Sequence, residues 1–450
     1  MRVVVPATKK VSKQKTQRKK STVAAARQSA ARLAELPDED LLEAVQRRTF
    51  NYFWAGAHPA SGLAYDRRTS SARPITDKTV SGGSGFGVMA LIVAVERGWI
   101  TRDAGLQRMA NILDVLLRAT CYHGAFPHFM DGSTGATIPY SRKDDGGDLV
   151  ETSLLFMGLL CAREYFNRDT PAENLLRGRI TYIWGEVEWD WYTRDGRELL
   201  YWHWSPTNGW ALDHEIHGWN EALITYLLAA GAPRYSIDPV VYHRGFATGR
   251  AFLNGKSYYD IELPLGMAYG GPLFFTHYTF CGVDPRGLKD QYADYWNLNV
   301  RHVRINYAHC VANPNRHKGY GPACWGLTAS DDPDGYSPHA PDNDNGTISP
   351  TAALASLPYA PREVMGALRH FLTYHGEKVW GRYGFIDAFC EQRDWYAETY
   401  LAIDQGPIIV MMENHRTGLL WKLFMRVPEV QNGLRKLGFT SPYLEIQSPA

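Results

Sequence analysis

Several things are missing from this 450-residue chain. No run approaches the roughly 18 consecutive apolar residues that a membrane span needs. The six cysteines (Cys121, Cys161, Cys281, Cys310, Cys324 and Cys390) are scattered. None forms a CxxC pair or a Cys/His cluster at zinc spacing. HExxH and GxSxG are absent, so zinc-peptidase and serine-hydrolase chemistry have no motif to stand on. The glycine-rich stretch Ser81-Gly-Gly-Ser-Gly-Phe-Gly is not GxxxxGK[ST], and no clear strand precedes it, which argues against a phosphate cradle. Asp342-Asn-Asp344-Asn-Gly346 lacks the twelfth-position acid of a calcium loop and reads as a turn. No metal or cofactor site is expected. No period of 20–50 residues repeats, which excludes a solenoid.

What is present is unevenly distributed. Residues 1–36 hold ten Lys or Arg against one acid, Glu35. The remainder carries 38 basic and 46 acidic residues, a net charge of −8. A body of that sign is not expected to bind nucleic acid. The 1–36 segment reads as a basic tail, either a contact for an anionic surface or a solvated extension. It has no apolar core for an export leader, so the chain as written reads as cytoplasmic. Aromatic residues are plentiful, with 14 Trp, 26 Tyr and 17 Phe. Flat rings in that number suit a core and also suit a site that stacks on sugars or bases.

From residue 37 to 450 the pattern is one domain of helix after helix. Helical spacing predicts segments at 37–50, 84–97, 102–121, 148–166, 218–230, 238–252, 288–313, 349–357, 361–370 and 407–425. Alternating β-type runs are few. Buried helices joined by long Gly- and aromatic-rich loops suggest an all-α toroid of inner and outer helices.

Three stretches gather acids. In Asp144-Asp-Gly-Gly-Asp148-Leu-Val-Glu151, Asp148-x-x-Glu151 before an apolar run is a capping-box-like start. A cap does not need Asp144 as well, so both a cap and a site remain open. Asp145 reads as solvated. In Gly218-Trp-Asn-Glu221-Ala-Leu, Glu221 shares a helical face with Ile224 and Leu228. A carboxyl on such a stripe keeps its proton near neutrality, as a general acid must. The other reading is a first-turn acid behind an Asn220 cap. In Ile403-Asp404-Gln-Gly-Pro407, a helix starting with Pro at its first position leaves Asp404 just outside, as a cap or a catalytic acid. Glu413 pairs by default with Arg416, three residues on. His214 and His217 read as supports rather than metal ligands. Paired carboxylates, many aromatics and no cofactor motif are the inventory of a glycosidase.

Longer motifs then carry a resemblance. They include Asn51-Tyr-Phe-Trp, Val80-Ser-Gly-Gly-Ser-Gly-Phe-Gly, Asp144-Asp-Gly-Gly-Asp-Leu-Val-Glu-Thr and Tyr201-Trp-His-Trp-Ser-Pro. Gly218-Trp-Asn-Glu-Ala-Leu, Cys324-Trp-Gly-Leu-Thr-Ala-Ser and Leu401-Ala-Ile-Asp-Gln-Gly-Pro continue the series. Together they resemble the bacterial glucoamylase-like family, whose characterised members are β-1,2-glucanases of glycoside hydrolase family 144. The resemblance runs from about residue 40 to 440. It implies an (α/α)6 toroid with a cleft at one end and inverting hydrolysis of β-1,2-glucan. It maps Glu221, Asp144 and Asp148 as the acids, with Glu151 and Asp404 as further cleft acids. On that reading Glu221 is the general acid, Asp148 or Asp144 the base, and Asp404 the alternative base. Trp54, Tyr65, Arg67, Trp204, Trp219 and Trp325 are candidates for sugar contacts. The resemblance also points to a periplasmic or secreted protein, since family members are usually exported. Endo action is expected. The alternatives are exo release of sophorose, a glucosidase on another linkage, and a non-catalytic glucan-binding protein.

Overall fold

The computed structural model describes residues 30–71, 74–249 and 251–445. The basic run from Lys9 to Lys20 lies outside the described residues. The longer helices are α1 (Asp38–Phe50), α2 (Ser81–Glu96), α3 (Arg102–Leu116), α4 (Leu149–Tyr165), α5 (Pro171–Gly185) and α6 (Leu223–Gly231). They continue as α7 (Tyr295–Ala312), α8 (Pro350–Ala355), α9 (Pro361–His370), α10 (Ala402–Arg416), α11 (Leu419–Phe424) and α12 (Pro428–Lys436). Strands form only two- and three-stranded pieces among the described residues.

The helices fall into two classes. α2, α4, α6, α8 and α10 are buried nearly all round. Their sequences are mostly apolar or small on every face, so no side is given to water, and α4 and α10 bury polar residues as well, among them Glu151, Asp404, Gln405 and Glu413. α3, α5, α9 and α12 each bury one stripe, such as Met109, Ile112, Leu113 and Leu116 in α3 or Val364, Ala367 and Leu368 in α9. The enclosed helices pack on one another: α2 on α4 and α10, α4 on α6, and α8 on α10.

The glycine-rich stretch belongs to this packing. The helix starts at Ser81, three residues before the predicted start. A Cβ at Gly85 would collide with the backbone carbonyl of Leu154, and one at Gly158 with that of Gly85. Two core helices thus cross backbone to backbone, which only residues without side chains allow.

Other boundaries differ from expectation for physical reasons. The predicted helix at 238–252 shrinks to Pro239–Val241 and a wide turn at Tyr242–Phe246. It is followed by an antiparallel hairpin of Leu253–Tyr258 with Ile261–Leu265. The chain leaves helical geometry at Ala247, with ψ 42°, and Gly249 follows at φ 80°. α10 begins at Ala402 rather than at Pro407. Strand Thr399–Leu401 pairs with Arg67–Thr69, and Ala402 N–H donates to the Asp66 carbonyl, so strand pairing sets the start. Pro407 then lies inside the helix and Asp404 is its third residue. Gly418, at φ 70°, ends that run before α11.

Glu413 pairs with Arg97, the residue that follows α2, through two bonds of 2.8 and 3.0 Å, not with Arg416. Arg416 reaches instead to Glu39 and Glu43 of α1. Part of the segment read as tail is described. Residues 30–34 are helical, and Ala30 and Ala34 are buried against the body. Arg369 donates to the carbonyls of Ala34 and Leu36. All six cysteines are free thiols.

Candidate active site

Each acid singled out from the helix-start patterns stands at or near the N-terminus of an enclosed helix. Asp148 is the N-cap of α4, its Oδ1 accepting from Glu151 N–H at 2.9 Å. The capping reading is therefore correct, but the box is only half made. Asp148 N–H donates to the Phe126 carbonyl, and Glu151 Oε2 crosses to accept from Gly82 N–H at 2.5 Å, at the start of α2. Strand pairing of Gly147–Asp148 with His203–Trp204 holds the cap in place. The second oxygen of Asp148 lies 3.0 Å from His128 Nδ1. His203 Nε2 lies 3.0 Å from Asp144.

Glu221 is not on a face of α6. It sits in the turn just before it, with Asn220 Oδ1 accepting from Ala222 N–H at 2.9 Å. Thr279 donates its hydroxyl to the Glu221 carbonyl at 2.6 Å. The Glu221 side chain is half-buried. Asp404 is buried and accepts from Tyr278 O–H at 3.1 Å.

Two effects compete at these acids. A helix N-terminus favours the charged carboxylate by up to ~2 kcal/mol in partly buried settings. Burial favours the neutral acid, and burial wins. It pushes Glu221 up to about 7, with Asp148 and Glu151 adding repulsion. Glu151 also rises to about 7, from burial and the charge of Asp148, against the opposing charge of His128. Asp404 is likewise raised to about 7 by burial. His128 goes the other way: burial disfavours its charge, but Glu151, Asp148 and Asp144 together lift it to about 9. The group therefore holds a cation beside one set of acids and acids that exchange protons near neutrality.

A second set of residues continues the cluster and was not found from the sequence. Asp387 is fully buried, and its Oδ2 accepts from Asp331 N–H at 2.7 Å. Asp331 is gripped by Arg67 and Thr399. Asp66 lies among Arg67, His128 and Lys78 and is raised by its own burial. A lone acid in Phe385-Ile-Asp387-Ala-Phe and a lone histidine in Phe126-Pro-His128-Phe were the available signals. Neither has a short-range partner to mark it.

The aromatic candidates divide. Trp204 is half-buried, edge-on to His123 and two residues from Trp202, which stacks on His214 at 4.8 Å. Arg67 keeps partial exposure beside the acids. Trp325 is enclosed, with its N–H on the Glu363 carbonyl and its ring edge-on to Tyr307, so it has no face for a sugar. Trp219 is enclosed among Phe246, Phe280 and Tyr295. Trp54 stacks on Phe50 and lies under Arg108 of α3, which occupies its free face. Tyr65 is buried against His58 and Arg68. Tyr65, Trp219 and Trp325 are thus enclosed, while Trp54 stays partly exposed. The exposed rings near the acids are tyrosines instead. Tyr336 is 49% exposed with Arg67 over its ring, and Tyr140 is 59% exposed, stacked on Phe129 and close to His128. Asp145, expected in solvent, is half-buried and takes the Ser205 hydroxyl.

Among the described residues no group of three His, Cys, Asp or Glu side chains is arranged to hold a metal ion. No described helix is long and apolar enough to cross a membrane.

Comparison with known proteins adds an independent line. The family model "Glycoamylase: Putative glucoamylase" matches residues 213–428. An exo beta-1,2-glucooligosaccharide sophorohydrolase (non-reducing end) of Parabacteroides distasonis is 44% identical over 423 residues, covering 89% of this chain. The chain spans 58% of that curated relative's length. An endo-beta-1,2-glucanase from Chitinophaga pinensis, solved with sophorotriose and glucose, is 50% identical with a TM-score of 0.88. The match covers 91% of this chain and all of that one. A Bacteroides uniformis structure bearing the same description as the family model is 54% identical, with a TM-score of 0.89 and the same two coverages. With about half its residues shared across the whole length of solved members, the chain belongs to the glucoamylase-like family.

Proposed function

We propose that this protein hydrolyses β-1,2-glucan with inversion, using Glu221 as general acid. The reading is carried by the Glu221 carboxyl in the turn before α6, which burial pushes up to about 7 with the charges of Asp148 and Glu151 adding to the rise. A carboxyl that titrates there is protonated often enough at neutral pH to give its proton to a glycosidic oxygen, directly or through a substrate hydroxyl. Asp148, held by Glu151 N–H and His128, is the base that activates water, with Asp144 or Asp404 as the alternative. Inversion needs a gap of roughly 6.5–9.5 Å between acid and base, room for one water. Tyr336 and Tyr140, the exposed rings beside the acids, are sugar platforms in this reading, and Arg67 contacts hydroxyls. The enclosed and one-sided helices support an (α/α)6 toroid as the scaffold, with residues 37–450 as one catalytic domain and a β-linked glucan as its partner.

Endo action is the primary reading, in line with the Chitinophaga pinensis relative. Exo release of sophorose is the second, favoured by the Parabacteroides distasonis relative. Linear β-1,2-glucan tests both. A broad early ladder of oligosaccharides means endo cleavage, and sophorose alone from the first time point means exo. Proton NMR of the first-formed anomer tests inversion; a retained β-anomer rejects it. Near-full turnover by Glu221→Gln would remove Glu221 from its role.

A further inference from the structure

Asp387 has no place in the mechanism above, yet its surroundings are specific. It is fully enclosed in a connection between two short strands. One oxygen, Oδ2, takes Asp331 N–H at 2.7 Å. The other, Oδ1, has no other donor within reach. Asp404 is its mirror image: Oδ1 takes Tyr278 O–H at 3.1 Å, and Oδ2 has no other donor. The two carboxyls lie close enough to interact, and each keeps one buried oxygen that no other donor reaches. Two buried carboxylate oxygens cannot face each other without a proton between them. Leaving either unpaired would cost the full desolvation of that atom.

We propose that Asp387 is a positioning residue that donates a carboxylic O–H to Asp404 Oδ2 and fixes how the Asp404 carboxylate faces the substrate. The proton belongs on Asp387 for two reasons. Asp387 is the more enclosed of the two, and the charges nearest it include two acids, Asp404 and Asp331, against one cation, Arg67. Tyr336, Arg67, Asp331 and Tyr278 are the remaining polar groups facing the pair. With Tyr278 on one oxygen and Asp387 on the other, the Asp404 carboxylate cannot rotate. This inference rests on the reading of Asp404 as an acid that acts on substrate.

Asp387→Asn and Asp387→Leu, compared with Asp404→Asn, test it on linear β-1,2-glucan. An amide at 387 accepts from Asp331 N–H and donates to Asp404, so Asp387→Asn is expected to keep kcat within about threefold of wild type, by analogy with a neutral donor of similar shape. Its pH–rate profile should shift by less than one pH unit, because no charge is removed. Asp387→Leu loses both bonds and should lower kcat about 100-fold with KM little changed, the pattern of a lost transition-state interaction. Infrared spectroscopy gives a readout independent of turnover. A protonated carboxyl band should persist in the wild type above pH 8, after groups titrating near 7 have ionised, and be absent from Asp387→Asn. Asp387→Asn as inactive as Asp404→Asn, a Leu variant with full kcat, or a missing band would each overturn the proposal. Full activity of Asp404→Asn would instead sink the underlying reading of Asp404, and the band would still decide where the proton sits.

Discussion

Replacing Glu221 with Gln should make the protein more stable at alkaline pH while making it inactive. The carboxyl goes from an ordinary 4.5 to about 7 in the folded state. The unfolded chain therefore releases this proton at lower pH than the folded one. The contribution of the group to stability is full below pH 4.5, falls as pH rises to about 7, and is flat above that. A difference of about 2.5 in pKa, at 1.36 kcal/mol each, gives ~3 kcal/mol as an upper bound at pH 8. Partial solvent access at Glu221 reduces this, so a gain of ~1–3 kcal/mol is expected for Glu221→Gln at pH 8. At pH 4 the gain should be near zero. With an unfolding entropy of ~2.1 cal/mol/K per residue, a chain this size moves by about 1 °C per kcal/mol, so the midpoint should rise ~1–3 °C at pH 8. Parallel thermal scans of both proteins at pH 4, 6 and 8 measure it. An equal shift at all three pH values would refute the reasoning, because a packing effect has no pH dependence. So would destabilisation that grows with pH.

Four further outcomes test other parts of the structure. His128→Asn removes the cation facing Glu151 and Asp148. Even in a water-like dielectric a unit charge at about 4 Å is worth ~1 kcal/mol, so the acid limb of the pH–rate profile should move up by at least about half a pH unit, and an unmoved limb would show that His128 carries no charge during turnover. Gly85→Ala should cost ~1–3 kcal/mol or more through collision with Leu154. Gly178→Ala, in open space on α5, should instead stabilise by ~0.5–1 kcal/mol. Denaturant midpoints of the two variants moving in the same direction would contradict this. Arg97→Ala leaves Glu413 buried without its cation and should cost ~3–5 kcal/mol, against less than ~1 kcal/mol if the pair were a surface one. Tyr336→Ala should raise KM for β-1,2-glucan more than it lowers kcat; the reverse would make the ring part of the chemistry rather than a platform.

The candidate acids differ in how visible they were. Asp148 and Glu151 are marked by a local pattern, an acid and its third neighbour before an apolar run, because capping is a short-range bond. Glu221 and Asp404 were noticed because an acid interrupts an aromatic or apolar stretch. Their exact settings were misread: Glu221 stands before its helix, and Asp404 within one. In the second case strand pairing with Arg67–Thr69 outweighed the proline signal. The enclosed aromatic candidates Tyr65, Trp219 and Trp325 show the limit of composition, since a ring in a sequence does not declare which face is free.

The amino-acid sequence alone determined the helical class, the enclosed helices and the presence of several acids at helix starts. These follow from spacing and capping, which act over three or four residues. Only the tertiary structure decided which acids are brought together and which cation faces them. The bonds concerned join Asp331 to Asp387 across 56 positions and Tyr278 to Asp404 across 126. Burial and charge depend on everything packed nearby, whatever its place in the chain, so proton affinity is a property of the fold rather than of the local sequence.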